Sequence, residues 1–367
     1  MTPRRALVAL VIVSAAARAE AQSSGVRDAA NEWLSRILLS ATPPTYDRTN
    51  GLSLGVAPDF SPTTNLTLIP RLTYRSQLGR YDPTLVATLS LGDSLTVRGF
   101  VGRDTYTNDA WIWSDMVNSI ETLALGHDSR NYVRAKRAEL SLANVWATKT
   151  SSFAPHIGIR LERAESARPD SAATGGPWSV RGRYDPDDML RPNVRVTAPD
   201  HASIVGGLRW DAAVEDVTAR VEAAAEAASA FRQLTFDGQV AFPTFGVQRY
   251  RVELHAVVSG GATPTQRWVF LGGPGTIRGL ELLEQGGDQL LYVDNRYDIP
   301  LSTLVLGRIG SPTLTLREVL GSAGLGSLPS LEQRAGARIK LAFVYAEGLI
   351  DPTRHRMHFG VGLSAAR

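Results

Sequence analysis

The sequence predicts an all-β protein, a transmembrane antiparallel β-barrel of about 12–16 strands with a short N-terminal helix. Three features predict it. The N-terminus carries an export-type segment, the rest of the chain alternates apolar and charged residues with a period of two, and no later stretch is apolar for long enough to cross a bilayer as a helix.

Arg4 and Arg5 form a basic start, and Ala6–Ala17 is an apolar run with Ser14 as its only polar member. Ala19-Glu20-Ala21 then gives a small-x-small cleavage site, so residues 1–21 are expected to be a signal peptide and Gln22 the mature start. Residues 22–45 are expected to form a short periplasmic segment. In it Val26, Ala29, Ala30, Trp33, Leu34, Ile37 and Leu38 fall at helical spacing ahead of Pro43-Pro44. Residues 46–367 are left for the barrel.

The alternation carries the fold prediction. Tyr250, Val252, Leu254, Ala256 and Val258 oppose Arg249, Arg251, Glu253 and His255. Ile339, Leu341, Phe343 and Tyr345 oppose Arg338, Lys340 and Ala342. Met357, Phe359, Val361 and Leu363 oppose Arg356, His358, Gly360 and Gly362. Similar runs cover residues 66–75 and 217–223. The polar face is rich in Arg, Glu and Asp, which suits a wet lumen, and the apolar face suits lipid. Phe343, Phe359 and Leu254 are therefore expected outside, and Arg251, Lys340 and Arg356 inside. An exported barrel of this kind points to the bacterial outer membrane, with its lipid as the surrounding partner. The segments 104–131, 167–199 and 260–287 exceed ordinary connections and are expected to be surface loops, with about three long strands after the last.

Composition excludes other classes. There are no cysteines and six histidines, so little material exists for a disulfide framework or a zinc site, and no cofactor or metal is expected. A net charge of +3 without a basic run gives no case for nucleic acid. Gly51-Leu52-Ser53-Leu54-Gly55 matches a hydrolase elbow, but a strand follows it where that motif needs a helix. His355 and His358 would face opposite sides of a strand. The enzyme alternative is a barrel-wall hydrolase using His201 or His255 with a serine; no catalytic residue is assigned.

The run Arg267-Trp268-Val269-Phe270-Leu271-Gly272-Gly273-Pro274-Gly275-Thr276-Ile277-Arg278-Gly279-Leu280, followed by Gly286-Gly287 and by Asn295-Arg296-Tyr297-Asp298-Ile299-Pro300-Leu301, resembles the BamA/TamA-like superfamily of outer-membrane barrels. That superfamily includes the bacterial surface antigens and two-partner-secretion transporters. Tyr46 to Leu52 and Trp111 to Tyr132 resemble further segments of surface-antigen barrels, so the likeness covers most of residues 46–364. It implies a loop tip folded into the lumen, with Gly272, Gly273, Ile277, Arg278, Gly279 and Leu280 as its motif and an inward acid as the partner of Arg278.

The family's acid lies in an aromatic-x-Asp-x-Gly strand, which here reads Leu320-Gly321-Ser322-Ala323-Gly324. With Ser322 in the acid's place, Glu318 becomes the favoured partner, then Asp294 and Asp298. Leu280 replaces the usual aromatic of the tip. Val97-Arg98-Gly99-Phe100 copies the tip more closely but sits inside an alternating run. The resemblance implies a barrel without periplasmic substrate-binding domains, acting in transport or assembly, with an exported or membrane-inserting polypeptide as candidate partner. The alternative function is a passive pore or structural barrel.

Overall fold

The computed structural model describes residues 40–167, 178–180, 182–183, 193–305, 307 and 310–363. The expected signal peptide and most of the expected helical segment lie outside them. Sixteen strands build the wall. The first seven are β1 (Ala41–Asp47), β2 (Gly51–Val56), β3 (Leu66–Arg75), β4 (Arg80–Leu91), β5 (Leu95–Tyr106), β6 (Val133–Asn144) and β7 (Ser151–Ser166). Then follow β8 (Asp200–Val214), β9 (Val217–Ala228), β10 (Phe231–Pro243) and β11 (Arg249–Gly261). The last five are β12 (Gln289–Pro300), β13 (Thr313–Gly324), β14 (Glu332–Leu341), β15 (Val344–Asp351) and β16 (Arg356–Leu363). Each pairs antiparallel with the next in one sheet, to which the short strands Phe60–Thr63 and Trp146–Ala147 add outriggers. The wall starts at Ala41, ahead of the expected boundary at Tyr46.

The meander sorts the connections onto two ends. One end carries 107–132, 262–288 and the described residues between β7 and β8; the other carries mostly short turns such as 92–94 and 215–216. Within the first long connection, expected to be loop throughout, lies α1 (Asp115–Leu125). Its signals were local: Ser114 caps it by accepting from the Val117 N–H, and Gly126 ends it with φ 77°. No described helix is long and apolar enough to cross a membrane, which says nothing of strands.

The strand faces follow the alternation. Val258 and Phe359 are 59% and 73% exposed, while Arg251 and Lys340 line an internal cavity. Leu254 shares the outer face with Val258, and Arg356 shares the inner face of β16 with Gly360. One run was misread. Residues 338–345 are not a single strand: Ala342-Phe343 forms a tight turn, with Ala342 at φ 53°, between β14 and β15. Phe343 is therefore an exposed turn residue, and Tyr345 points inward, 4% exposed, under the Arg338 guanidinium 3.8 Å from its ring. That hidden hairpin is one reason why five strands follow the last long loop where about three were expected.

Among the described residues no ladder joins β1 to β16. Helix α1 occupies that seam. The Tyr46 N–H of β1 donates to Ser119 Oγ (2.9 Å), and the Leu363 N–H of β16 donates to Glu121 Oε1 (2.9 Å). Edge amides that would otherwise lack partners are thus capped from one helix.

The outward face of β16 yields a stability prediction. Phe359→Arg should cost roughly 2–4 kcal/mol in a lipid-refolding equilibrium, because a guanidinium would replace an apolar group facing hydrocarbon. A variant as stable as the parent protein would show that this face does not meet lipid.

Candidate functional site

The loop 262–288 enters the barrel and packs there. It opens with a 3-10 turn, Thr265–Arg267, and closes on itself through a small hairpin, Val269–Leu271 with Gln285–Gly287. Leu271 and Ile277 are 0% exposed and pack with Val257, Leu290, Tyr292 and Val319 of the wall, with Leu280 against the same cluster. A barrel interior would otherwise be polar throughout. Here an apolar core forms inside it, because the loop supplies the second layer that the inner faces of β11–β13 need.

The motif glycines have a steric reason. Gly272, Gly273 and Gly279 adopt φ of 128°, 91° and 98°, conformations that side-chain-bearing residues rarely take. At Gly279 a Cβ would also lie 2.6 Å from the His358 ring on β16. The tip thus lies flat against the last strand.

Arg278 lies inside, and its partner is one that sequence reasoning missed. Its Nε donates to Glu347 Oε1 at 2.7 Å, and Glu347, on β15, is 0% exposed at its side chain. Gly360 on β16 leaves the necessary space, since a Cβ there would overlap the Arg278 guanidinium. Glu347 Oε2 also accepts from Arg317 Nη1 (3.1 Å) and Arg338 Nη2 (2.7 Å). Arg317 in turn reaches Asp294 (2.6 Å), which takes Arg296 as well (2.6 Å). Asp294 therefore belongs to the same network, joined to Arg278 through Arg317 and Glu347.

The other proposed partners are corrected. Glu318 faces outward. It shares its face with Leu316 and Leu320 and accepts from Asn295 Nδ2 (3.3 Å) and Gln333 Nε2 (2.6 Å). Asp298 accepts from Thr315 Oγ1 (2.6 Å), and Ser322 donates to the Pro329 carbonyl (3.0 Å). None of the three meets Arg278. The clue to Glu347 lay in Tyr345-Ala346-Glu347-Gly348, an aromatic-x-acid run close to the family's motif, on a strand the misread hairpin had hidden.

A second arginine pins the loop at its start. Arg267 donates to Glu226 (2.9 Å) on β9 and to Glu162 (3.0 Å) on β7, and its Nη2 lies 2.9 Å from His201 Nε2. Between the two anchors the connection before α1 packs into the lumen. Trp111 stacks on His255 with centroids 4.2 Å apart, and Ile112 fills the space beside Gly275. Below them a polar cavity of about 370 Å³ is lined by Arg220, Asp237, Arg251, Glu253 and Lys340, among others. The histidines named for a hydrolase are engaged otherwise: His255 Nδ1 lies 2.6 Å from Asp237, and no hydrogen bond joins either ring to a serine among the described residues.

At the loop end of the barrel, Asp109 is 0% exposed and its Oδ2 accepts from the Asn131 N–H (2.8 Å). Burial pushes this carboxyl up to about 7.

No family model matches the chain, and no curated protein does. Solved structures do. BamA from Haemophilus ducreyi lacking POTRA domains 1-3 superposes with a TM-score of 0.54 at 10% identity, covering 88% of this chain and 70% of that one. CdiB from Acinetobacter baumannii gives 0.47 at 11% identity over 88% of this chain and 58% of that one. CdiB from Escherichia coli gives 0.46 at 13% over 88% and 61%. This chain therefore spans less than two thirds of either CdiB. At such identities the likeness is one of fold, and the BamA superposition carries it.

Two predictions follow from the geometry. Arg278→Ala, or Gly360→Val, should release the loop tip and expose residues 262–288 to protease while the wall stays folded. Glu347→Gln should be worse, at roughly 3–5 kcal/mol, because it strands buried guanidiniums. Unchanged protection of the loop in Arg278→Ala would refute the clamp. The second concerns pH. The native Asp109 holds its proton to about pH 7, whereas an exposed aspartate releases it near 4. Docking of segment 107–132 is thus undiminished below about pH 4, weakens as pH rises toward 7 and is level above. The protection of this segment against hydrogen exchange, taken relative to the intrinsic rate at each pH, should fall between about pH 4 and 7, and Asp109→Asn should remove that fall; constant protection across the range in the parent protein would contradict the assignment.

The wall, the lumen loop and the arginine clamp together give this chain an antiparallel β-barrel fold like that of the solved BamA barrel.

Proposed function

We propose that this chain is exported by the segment 1–21, spans the bacterial outer membrane through its barrel from the Ala41 strand onward, and acts in the insertion or translocation of polypeptides there. One observation carries the reading: the loop arginine Arg278 is held inside by Glu347, against the inner face of β16, the strand at the unpaired seam. A passive pore needs no loop clamped beside an edge, whereas a barrel that handles polypeptide laterally needs an edge it can free. The seam supports this. Its two edges are capped by side chains of α1, and those contacts can break without unzipping a ladder. The lining of the lumen by arginine and carboxylate networks adds a polar surface on which an extended chain can rest.

The test uses proteoliposomes containing the full chain and an unfolded outer-membrane barrel protein as client. Insertion of the client, read by heat-modifiable gel mobility, should exceed that in empty liposomes. A disulfide between cysteines at positions 121 and 363 should stop it and leave ion conductance unchanged; reduction should restore it. Conductance without any acceleration of client insertion, in either redox state, would leave the chain a passive pore.

A further inference from the structure

The outer wall carries a patch that neither the lumen loop nor the seam uses. Arg103 on β5, Lys136 on β6 and Arg163 on β7 are successive cross-strand partners, in register Arg103↔Lys136↔Arg163, and Asp200 on β8 completes the row. Like charges set directly opposite one another on a sheet repel. Little on the protein relieves them. Arg163 has only Asp200, at 3.6 Å, with both side chains well exposed (69% and 65%). Arg103 lies 3.7 Å from Asp82, but that carboxylate already serves Arg75 (3.2 Å) and Arg134 (2.5 Å).

Immediately toward the other end of the barrel the same face turns apolar. The next row holds Val101, Ala138, Leu161 and Ala202, and the one after it Gly99, Leu140, Ile159 and Ile204. Val101, Leu161, Leu140, Ile159 and Ile204 are 53–59% exposed. Cation row and apolar row share one open groove on the outer wall. The feature is local and is not a girdle running round the barrel. On the side formed by β12–β14 the outward residues include Asn295, Glu318 and Gln333, and no lysine or arginine faces out there.

We propose that this groove binds a lipid whose headgroup carries more than one phosphate, its acyl chains lying along Leu161, Leu140, Ile159 and Ile204 and its phosphates bridging Arg103, Lys136 and Arg163. Strands are spaced about 4.8 Å apart, so the outer two cations stand roughly 10 Å from each other, a span for two phosphates on one headgroup and too wide for a single one. Guanidinium forks suit phosphate oxygens, and the lysine between them adds a point charge. The boundary between the charged and apolar rows is then the boundary between headgroup and hydrocarbon. The inference rests on the barrel spanning a membrane, which heat-modifiable mobility and membrane fractionation test separately.

The experiment measures lipid retained by the full chain in detergent micelles by native mass spectrometry. The probes are diphosphoryl lipid A, the same lipid stripped of phosphate, phosphatidylethanolamine, and inorganic phosphate. The diphosphorylated lipid should be retained well above the other three. Replacing all three cations by glutamine (R103Q, K136Q, R163Q) should weaken it by about a hundred-fold, at roughly a factor of five per basic residue near a charged lipid surface. Lys340→Gln, inside the lumen, should not change it. Arg163→Lys in the otherwise intact row should keep most of the binding, which guards against misfolding of the triple variant. Equal retention of the dephosphorylated lipid, capture of inorganic phosphate as tight as that of the lipid, or full binding by a folded triple variant would each overturn the proposal.

Discussion

The inside of this barrel depends on one carboxylate. Glu347 is sealed from solvent and takes hydrogen bonds from Arg278, Arg317 and Arg338, one from the loop and two from the wall. Three cations around one anion would not be stable in a dry interior. Arg317 is therefore shared with Asp294, and Asp294 with Arg296, so that charge is spread across β12–β15. A buried ion network of this sort is weak as a source of stability but costly to break, because each member removed leaves another uncompensated. It fixes register and loop position together. The loop cannot shift without unpairing Glu347, and β15 cannot slip by a residue without turning that carboxylate outward.

The same logic inverts the usual arrangement of polar and apolar groups. Charged residues converge inside, and large apolar side chains such as Phe359 and Ile157 stand on the outside. Helix α1 follows the rule of the wall and not that of a soluble helix. Asn118, Glu121 and Thr122 are buried, while Met116, Ile120 and Leu123, one turn apart, are 63%, 44% and 38% exposed. Its polar face is spent on the sheet's edges and on Asp128, to which Asn118 donates (3.1 Å). Besides the charged row on β5–β8, Glu318 also departs from this on the outer wall, where it sits among leucines and is held by two neutral amides.

Much of this was legible in the chain. Period-two alternation placed Arg251, Lys340 and Phe359 on their faces, and the glycine-rich run around Arg278 announced a backbone that had to lie close to something. What failed was non-local. The partner of Arg278 is set by how β15 and β16 lie beside the folded-back tip, which no local spacing encodes. Glu318 was chosen for its parity with Ser322, and the two do share a face; Leu316 and Leu320 on either side of it already marked that face as the outer one. The hairpin at Ala342-Phe343 has no glycine, asparagine or aspartate to betray its positive φ. It fused two strands into one and concealed the residue that mattered. The helix was overlooked for the opposite reason: its caps were readable, but a periodicity whose polar side is buried does not look amphipathic in the expected sense.

The contacts that finish the structure join distant parts of the chain. Arg278 and Glu347 are 69 residues apart, Arg267 and Glu162 105, and Glu121 and the Leu363 amide 242. Hairpins along the wall can form from neighbouring segments as the chain emerges. The loop tip, by contrast, has no carboxylate for Arg278 until the last hairpin exists, and α1 has no second edge to hold until the final strand arrives. Non-local contacts of this kind come late, since their loop-closure entropy must be met before they give anything back. A truncated or stalled chain would therefore present an open sheet with its plug undocked, a state that a protease distinguishes from the finished barrel. The clamp that shapes the lumen is therefore also the contact that forms only once the last hairpin is in place.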